Sequence, residues 1–128
     1  MSPLDGFPGD PWGDSFVEQD LERFIEELQR GLGEDGDSPG YREKQISGFG
    51  NTTQSLLVMA EGSALTDQRL DEAALSLLVY RGRIHIETDD AHLHPDEGSN
   101  LFLLPDQRYE IQTVDPAVLL MTFMRFSD

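Results

Sequence analysis

From residue 41 onward, the chain is a series of short apolar runs separated by turn residues at nearly regular spacing. The runs are rich in Val, Ile, Leu, Thr and aromatic residues, and Gly, Asp and Pro lie between them. This pattern predicts an all-β antiparallel sandwich or barrel rather than strands that alternate with helices. The last run is apolar on both faces, so we expect one face inside the barrel and the other under a helix. The predicted strands are YREKQIS (41–47), TTQSLLVMA (52–60), ALSLLVYRG (74–82), RIHIET (83–88), AHLHP (91–95), NLFLLP (100–105), YEIQTV (109–114) and AVLLMTFMRF (117–126).

One amphipathic helix is predicted over residues 15–32. Ser15 and Glu18 have the spacing of a capping box, which satisfies the free N–H groups of a first helical turn. Gly31 and Gly33 are expected to end the helix. Because the apolar side chains recur at helical spacing on one face, the helix should cover an apolar surface. These side chains are Val17, Leu21, Phe24, Ile25 and Leu28.

The remaining segments divide the chain around one domain. Residues 1–14, with three Pro and three Gly, are predicted to be a flexible acidic arm. Its Phe7 and Trp12 either lie in a disordered tail or dock on the domain or on a neighbouring subunit. Residues 33–40 are interpreted as a linker, and 41–128 as the barrel.

The charge balance and composition disfavour several classes of function. The 128 residues include 25 acidic and 9 basic side chains, a formal net charge of −16, which a nucleic acid or an anionic membrane would repel. There is no cysteine, and therefore no disulfide or thiolate site. We find no signal-peptide pattern and no apolar run of about 20 residues. We therefore expect a soluble cytoplasmic protein with no nucleic-acid or membrane partner.

The segment LLVYRGRIHIE…NLFLLPDQRYEI resembles the cupins. In that family one strand ends at a tight glycine before the next strand, and a later apolar strand ends in proline; Gly82 and Pro105 match these two positions. The resemblance covers roughly residues 45–126, and the preceding helix is similar to that of small single-domain bacterial cupins. It implies a double-stranded β-helix, a barrel of jelly-roll type.

The same resemblance implies where the family's metal ligands would lie. The glutamate position falls at Leu75, the first two histidine positions near Gln68 and Leu70, and the last histidine position at Tyr109. None of these is a usual metal ligand, so the resemblance implies a barrel without the family's metal site and without a cofactor. A slip of one residue would recover only one carboxylate, from among Asp67, Asp71 and Glu72.

The four positions are instead predicted to line a pocket for a small apolar or weakly polar ligand. In this hypothesis the phenol of Tyr109 hydrogen-bonds the ligand beside Gln68. In the alternative, the tyrosine fills the space that a metal would occupy.

All three histidines of the chain fall in one predicted hairpin. With a two-residue turn at Asp89–Asp90, Glu87 pairs with His92, Ile86 with Leu93, and His85 with His94. Alternation then places Ile84, Ile86 and Leu93 toward the core. His85, Glu87, His92 and His94 would point outward as a solvated polar face, a surface metal site or a pH-sensitive contact.

These observations favour a non-catalytic, metal-free protein that binds a small ligand or a protein partner in an accessory or regulatory role, as a homodimer. One alternative is a metal-dependent enzyme with an atypical ligand set that uses Asp67, Asp71 or Glu72. The other is an interaction module that works through the acidic face and the N-terminal arm.

Overall fold

The computed structural model describes residues 20–34 and 40–126, which form one helix and nine strands. The helix α1 is Leu21–Glu34. No helix in these two ranges is long and apolar enough to cross a membrane. The strands are β1 (Tyr41–Phe49), β2 (Thr52–Met59), β3 (Ala64–Arg69), β4 (Ala73–Arg81), β5 (Ile84–Thr88), β6 (His92–Leu93), β7 (Asn100–Leu103), β8 (Arg108–Thr113) and β9 (Ala117–Arg125).

The strands form two antiparallel sheets that face each other, which confirms the predicted all-β fold. The larger sheet has the order β1-β2-β9-β4-β7, and the smaller has the order β3-β8-β5-β6. Consecutive strands therefore often lie in different sheets, as in a jelly roll. Inward side chains of both sheets make the central core. It contains Leu57, Met59, Leu65, Leu70, Leu75, Leu77, Val79, Ile84, Ile86, Leu103, Tyr109, Ile111, Ala117, Leu119 and Met121.

A second apolar cluster lies between α1 and the outer face of the larger sheet. Ile25 of the helix is buried there against Leu56, Val58 and Val118. In β9, Leu119 belongs to the central core while Val118 lies under the helix. The predicted two-sided burial of the last strand is therefore confirmed.

The ends of α1 differ from the predicted ones. Asp20 caps the first described turn, because its side chain accepts a hydrogen bond from the Arg23 N–H at 3.2 Å. The capping box at Ser15 and the arm at 1–14 lie outside the described residues. At the other end the helix passes through Gly31 to Glu34. A Cβ on Gly31 would lie 2.7 Å from Arg42 Nε, so the glycine makes room for that side chain.

The strand β3 was not predicted, because its sequence ALTDQR lacks a regular apolar alternation. Its pairing with β8 shifts register between Leu65 and Gln68, and Asp67 within it has φ 58°. Such a bulge breaks the two-residue period on which sequence patterns depend.

The predicted hairpin at Asp89–Asp90 is confirmed in register. Ile86 pairs with Leu93 and Glu87 with His92. Leu93, however, is 36% exposed rather than buried, because β6 has only two residues and lies at the edge of its sheet.

The tight glycine of the cupin resemblance lies at the junction of β4 and β5. Gly82 has φ 86°, and a Cβ there would be 2.2 Å from the Pro116 carbonyl oxygen. Both the backbone angle and the close approach exclude other residues.

Candidate ligand site at the barrel mouth

The four residues predicted to form a pocket lie in one part of the barrel. Gln68 on β3 pairs directly with Tyr109 on β8. Leu70, Leu75 and Tyr109 are all buried members of the central core. They fill this part of the barrel interior, and of the four only Leu70 also lines an open cavity of about 510 Å³.

The chemistry of these side chains does not fit a metal ion. Leu70 and Leu75 carry no donor atom, and the Gln68 side-chain amide donates to the Thr66 carbonyl at 2.9 Å. Tyr109 is 3% exposed, and burial with a smaller effect of the Glu43 charge raises its pKa to about 12. A phenol kept neutral in this way is a poor metal ligand. Across residues 20–34 and 40–126, no three His, Asp or Glu side chains lie together in a way that could hold a metal.

An open cavity of about 510 Å³ lies at one end of the barrel. The larger sheet contributes inward residues of β1, β2 and β9, and the link between β3 and β4 contributes the opposite wall. We call it the mouth cavity. Its lining residues are Glu43, Thr53, Ser55, Arg69, Leu70, Asp71, Ala73, Phe123 and Arg125.

Several polar side chains of the mouth cavity have no hydrogen-bond or ion-pair partner in the described part of the chain, and Ser55 and Arg125 are two of them. Ser55 is only 6% exposed, and its hydroxyl makes no hydrogen bond there. A buried hydroxyl without a partner costs stability, so such groups usually meet water or a ligand. The guanidinium of Arg125 makes no ion pair within the same residues, although the Arg125 backbone is held by Asn51 through bonds of 2.9 and 2.7 Å.

The mouth cavity has three further charged side chains, Arg69, Asp71 and Glu43. Arg69 Nε lies 2.9 Å from Asp71 Oδ1, so these two charges satisfy each other. Glu43 lies close enough to Tyr109 for its charge to affect the phenol. Phe123 and Leu70 supply apolar surface. Within the described residues, the mouth cavity thus combines a cation (Arg125) and an anion (Glu43) that each lack an ion pair, hydroxyl groups and an apolar wall. This is the composition of a site for a small organic molecule.

The three histidines lie elsewhere, on the outer face of the smaller sheet. His85 and His94 are in edge-to-face contact, with ring centroids 4.2 Å apart. His92 Nε2 lies 3.6 Å from Glu87 Oε2. A cleft of about 80 Å³ beside them also includes Glu110 and Gln112. The predicted outer patch is therefore assembled, well separated in the fold from the mouth cavity.

The carboxylates of the rival metal hypothesis do not converge. Asp67 lies 3.8 Å from Arg108 and lines a cleft on the smaller sheet. Asp71 lies at the mouth cavity with Arg69. Glu72 is exposed, with φ 56°.

Ser55 and Arg125 were not predicted from the sequence to be part of a site. One signal was present: Thr53, Ser55, Leu57 and Met59 alternate along one face of β2, and that face changes from polar to apolar. In a strand of a barrel, such a change marks the point where the interior opens to solvent. The sequence does not show which face of β2 points into the barrel, so this change from polar to apolar residues could not be assigned to the interior.

No protein-family model and no curated protein sequence matches the chain. Solved structures do match. The protein TT1209 from Thermus thermophilus aligns with a TM-score of 0.69 and 12% identity over 86% of this chain and 98% of that one. The cupin domain of Cnp3 from Schizosaccharomyces pombe aligns with a TM-score of 0.65 and 10% identity, over 74% of this chain and 72% of that one. A predicted oxalate decarboxylase from Thermotoga maritima aligns with a TM-score of 0.63 and 8% identity, over 67% of this chain and 81% of that one.

Further matching structures are cupins from Shewanella frigidimarina and Desulfitobacterium hafniense. Because the sequence identities are this low, the similarity to these structures shows only that the folds are alike. Together with the two facing sheets and the junction at Gly82, it shows that the chain has the fold of the cupin superfamily.

Proposed function

We propose that this chain is a non-catalytic, metal-free binding protein that holds a small organic acid in the mouth cavity, in an accessory or regulatory role. The proposal rests on two groups: the buried Ser55 hydroxyl, which has no hydrogen bond within the described residues, and the Arg125 guanidinium, which has no ion pair there. Both line the same cavity.

The charge of the ligand follows from the chain's own electrostatics. In a protein of net charge −16, at least five of the nine basic side chains are paired with an acidic neighbour within the described ranges, as Arg83 is with Asp115 at 2.7 Å. Arg125 is not, and a carboxylate is the natural partner of a guanidinium because two parallel hydrogen bonds join them. The surrounding acidic field limits the ligand to a low negative charge.

The size and the apolar wall define the rest of the ligand. A volume of about 510 Å³ is in the range of sites for small molecules. Phe123 and Leu70 would contact a hydrocarbon or aromatic portion, while Thr53 and Ser55 would meet polar groups. The ligand is thus an amphipathic monocarboxylic acid.

A metal-dependent enzyme remains the alternative, because one protein with the same fold is a predicted oxalate decarboxylase. That hypothesis requires a metal held by a set of ligands unlike those of the family positions. It predicts stoichiometric metal that is lost on replacement of Asp71.

The first experiment is native mass spectrometry of the untagged, purified chain. A bound organic mass without metal supports the proposal and identifies the ligand, whereas one metal per subunit contradicts it. A panel of aliphatic and aromatic monocarboxylates is then titrated by calorimetry. Failure of every member of the panel, in a chain that also carries no organic mass, contradicts the proposal.

Matched variants locate the binding site. Arg125→Gln should weaken binding of the carboxylate by about 10-fold or more, because a hydrogen bond to a charged group contributes about 1.5–3 kcal/mol. Ser55→Ala should weaken it by a smaller factor. Arg108→Gln removes an exposed guanidinium from the other sheet and should leave binding unchanged. Equal losses in Arg125→Gln and Arg108→Gln would indicate a nonspecific charge effect.

A further inference from the structure

The outer face of the smaller sheet gathers all three histidines of the chain beside two glutamates. We propose that His85 and His94 chelate one divalent transition-metal ion there, of the class that prefers imidazole ligands. We call this face the outer histidine patch. Its residues, which line one cleft of about 80 Å³, are His85, Glu87, His92, His94, Glu110 and Gln112.

The backbone fixes the two imidazoles of the pair opposite each other. Ile86 pairs with Leu93 on one side of them, and the Ile84 N–H donates to the Pro95 carbonyl at 3.4 Å on the other side. Both contacts belong to one antiparallel register, so the two residues between them lie side by side on the same face, with Cβ atoms about 4.5–5.5 Å apart. The fold itself therefore brings the two imidazoles together.

The rings of His85 and His94 are already near the spacing that a shared ion requires. Their centroids are 4.2 Å apart, and their planes make an angle of 84°. Because a metal–nitrogen bond is about 2.0–2.1 Å long, two imidazoles on one ion have centroids roughly 5 Å apart. Both side chains are exposed, and neither makes a hydrogen bond or an ion pair within residues 20–34 and 40–126. Small side-chain rotations can therefore bring one nitrogen of each ring onto the same ion.

The carboxylates of the outer histidine patch favour a cation at this place. Glu87 on β5 pairs directly with Glu110 on β8. Like charges directly opposite each other on one face of a sheet are destabilising. His92 Nε2 lies 3.6 Å from Glu87 Oε2 and offsets the repulsion only when the imidazole is protonated. A divalent ion on the neighbouring pair of imidazoles would relieve it, and the acidic surface raises the local concentration of cations.

The nitrogen ligands select the class of ion. Imidazole suits Cu²⁺, Ni²⁺ and Zn²⁺, whereas Mg²⁺ and Ca²⁺ prefer oxygen ligands. No third His, Asp or Glu side chain of the described ranges converges with the pair, so water completes the coordination. An ion held by only two protein ligands should exchange with solvent, and the chain purified without added metal should carry none. The site is thus compatible with a mouth cavity that holds no metal.

Calorimetric titration of the untagged full chain with Zn²⁺, in excess Mg²⁺, tests the inference. The Mg²⁺ occupies carboxylates that bind any divalent cation. We expect one Zn²⁺ per chain, and electron paramagnetic resonance of the Cu²⁺ form should show nitrogen ligands. His85→Gln and His94→Gln should each weaken binding by at least the about 10-fold that loss of a residue supporting a metal ligand typically costs. Since both side chains are exposed, neither change disturbs the core, and circular dichroism verifies the fold.

His92→Gln is the matched control, because it makes the same substitution in the same patch outside the proposed pair. It should bind Zn²⁺ as the original chain does, and a loss as large as that in His94→Gln would overturn the assignment. The inference is also overturned if the chain takes up no Zn²⁺ in excess Mg²⁺, or if both pair variants still bind it. None of these outcomes depends on a ligand in the mouth cavity.

Discussion

The guanidinium of Arg81 on β4 lies 2.6 Å from both carboxylate oxygens of Glu22 on α1. The Tyr80 hydroxyl also donates to Glu22, at 2.9 Å. The hydrogen bond from Arg81, and then that from Tyr80, lowers the pKa of Glu22. These contacts join the start of α1 to β4, next to the buried packing of Ile25 against Leu56, Val58 and Val118.

We expect Glu22→Gln to increase amide hydrogen exchange in the first turns of α1. The contribution of Glu22 to stability is present above the unfolded pKa of the carboxyl group and is lost as the pH falls through the lowered folded value, so the variant should resemble the original chain only at low pH. Hydrogen exchange measured by mass spectrometry at several pH values checks this. Glu27→Gln breaks an ion pair within the helix and should lack the effect; equal effects of both would contradict the assignment.

Gly82→Ala should destabilise the fold severely, by about 3 kcal/mol or more, because a positive φ and a backbone clash act together. Gly62→Ala is the matched control, since Gly62 has φ 77° but open space around it, and should cost only about 1–2 kcal/mol. Denaturant unfolding measures both. A difference within error would mean that the contact with Pro116 relaxes easily.

Thr113→Val should lower the free energy of unfolding by about 1–2 kcal/mol. The Thr113 hydroxyl donates to the Ala60 carbonyl at 2.8 Å and accepts from the Ser63 N–H at 3.0 Å, so it ties the β2–β3 turn to β8. Thermal and urea unfolding provide the measurement. Thr66→Val, at an exposed position, should be neutral, and a neutral result at 113 would show that water replaces these bonds.

Tyr109 predicts a loss of stability at high pH. Its pKa is about 12 in the folded chain against 10 for a free tyrosine, so its contribution is present below pH 10 and is lost as the pH rises to 12. A pKa that is higher by about two in the folded chain corresponds to a loss of ~3 kcal/mol in the free energy of unfolding once the phenol is ionised. Tyr109→Phe should remove this part of the alkaline transition in pH-dependent unfolding, and Tyr41→Phe should retain it. An unchanged profile in Tyr109→Phe would refute the prediction.

The outer histidine patch should behave independently of the mouth cavity. We expect any Zn²⁺ added to the chain to shift the NMR signals of His85 and His94 together, because these rings touch. His94→Ala should abolish that response and leave binding of organic acids unchanged. If Asp71→Ala abolished the Zn²⁺ response instead, the metal would lie at the mouth.

Much of the fold follows from local patterns. Short apolar runs with turn residues predicted eight of the nine strands, and the Asp89–Asp90 turn predicted the pairing of Glu87 with His92. The two-sided β9 also followed from its apolar residues. The strand β3 was not predicted, because the bulge at Asp67 interrupts the alternation of apolar and polar residues.

The candidate site was predicted only in part. The resemblance to cupins grouped Gln68, Leu70, Leu75 and Tyr109, and in the structure Gln68 and Tyr109 are cross-strand partners. The sequence left open whether Tyr109 contacts a ligand or fills the barrel, and it did not indicate that Leu70 and Leu75 would be buried in the core, because burial depends on what the opposite sheet contributes.

By itself, the sequence determined the antiparallel β class, the amphipathic helix and the outward face of the histidine hairpin, since these depend on periods of two and 3.6 residues. Only the tertiary structure decided that Ser55, Arg69 and Arg125 share one cavity and that Glu110 lies beside Glu87 in the outer histidine patch. These residues are far apart in the chain, and their meeting depends on sheet order.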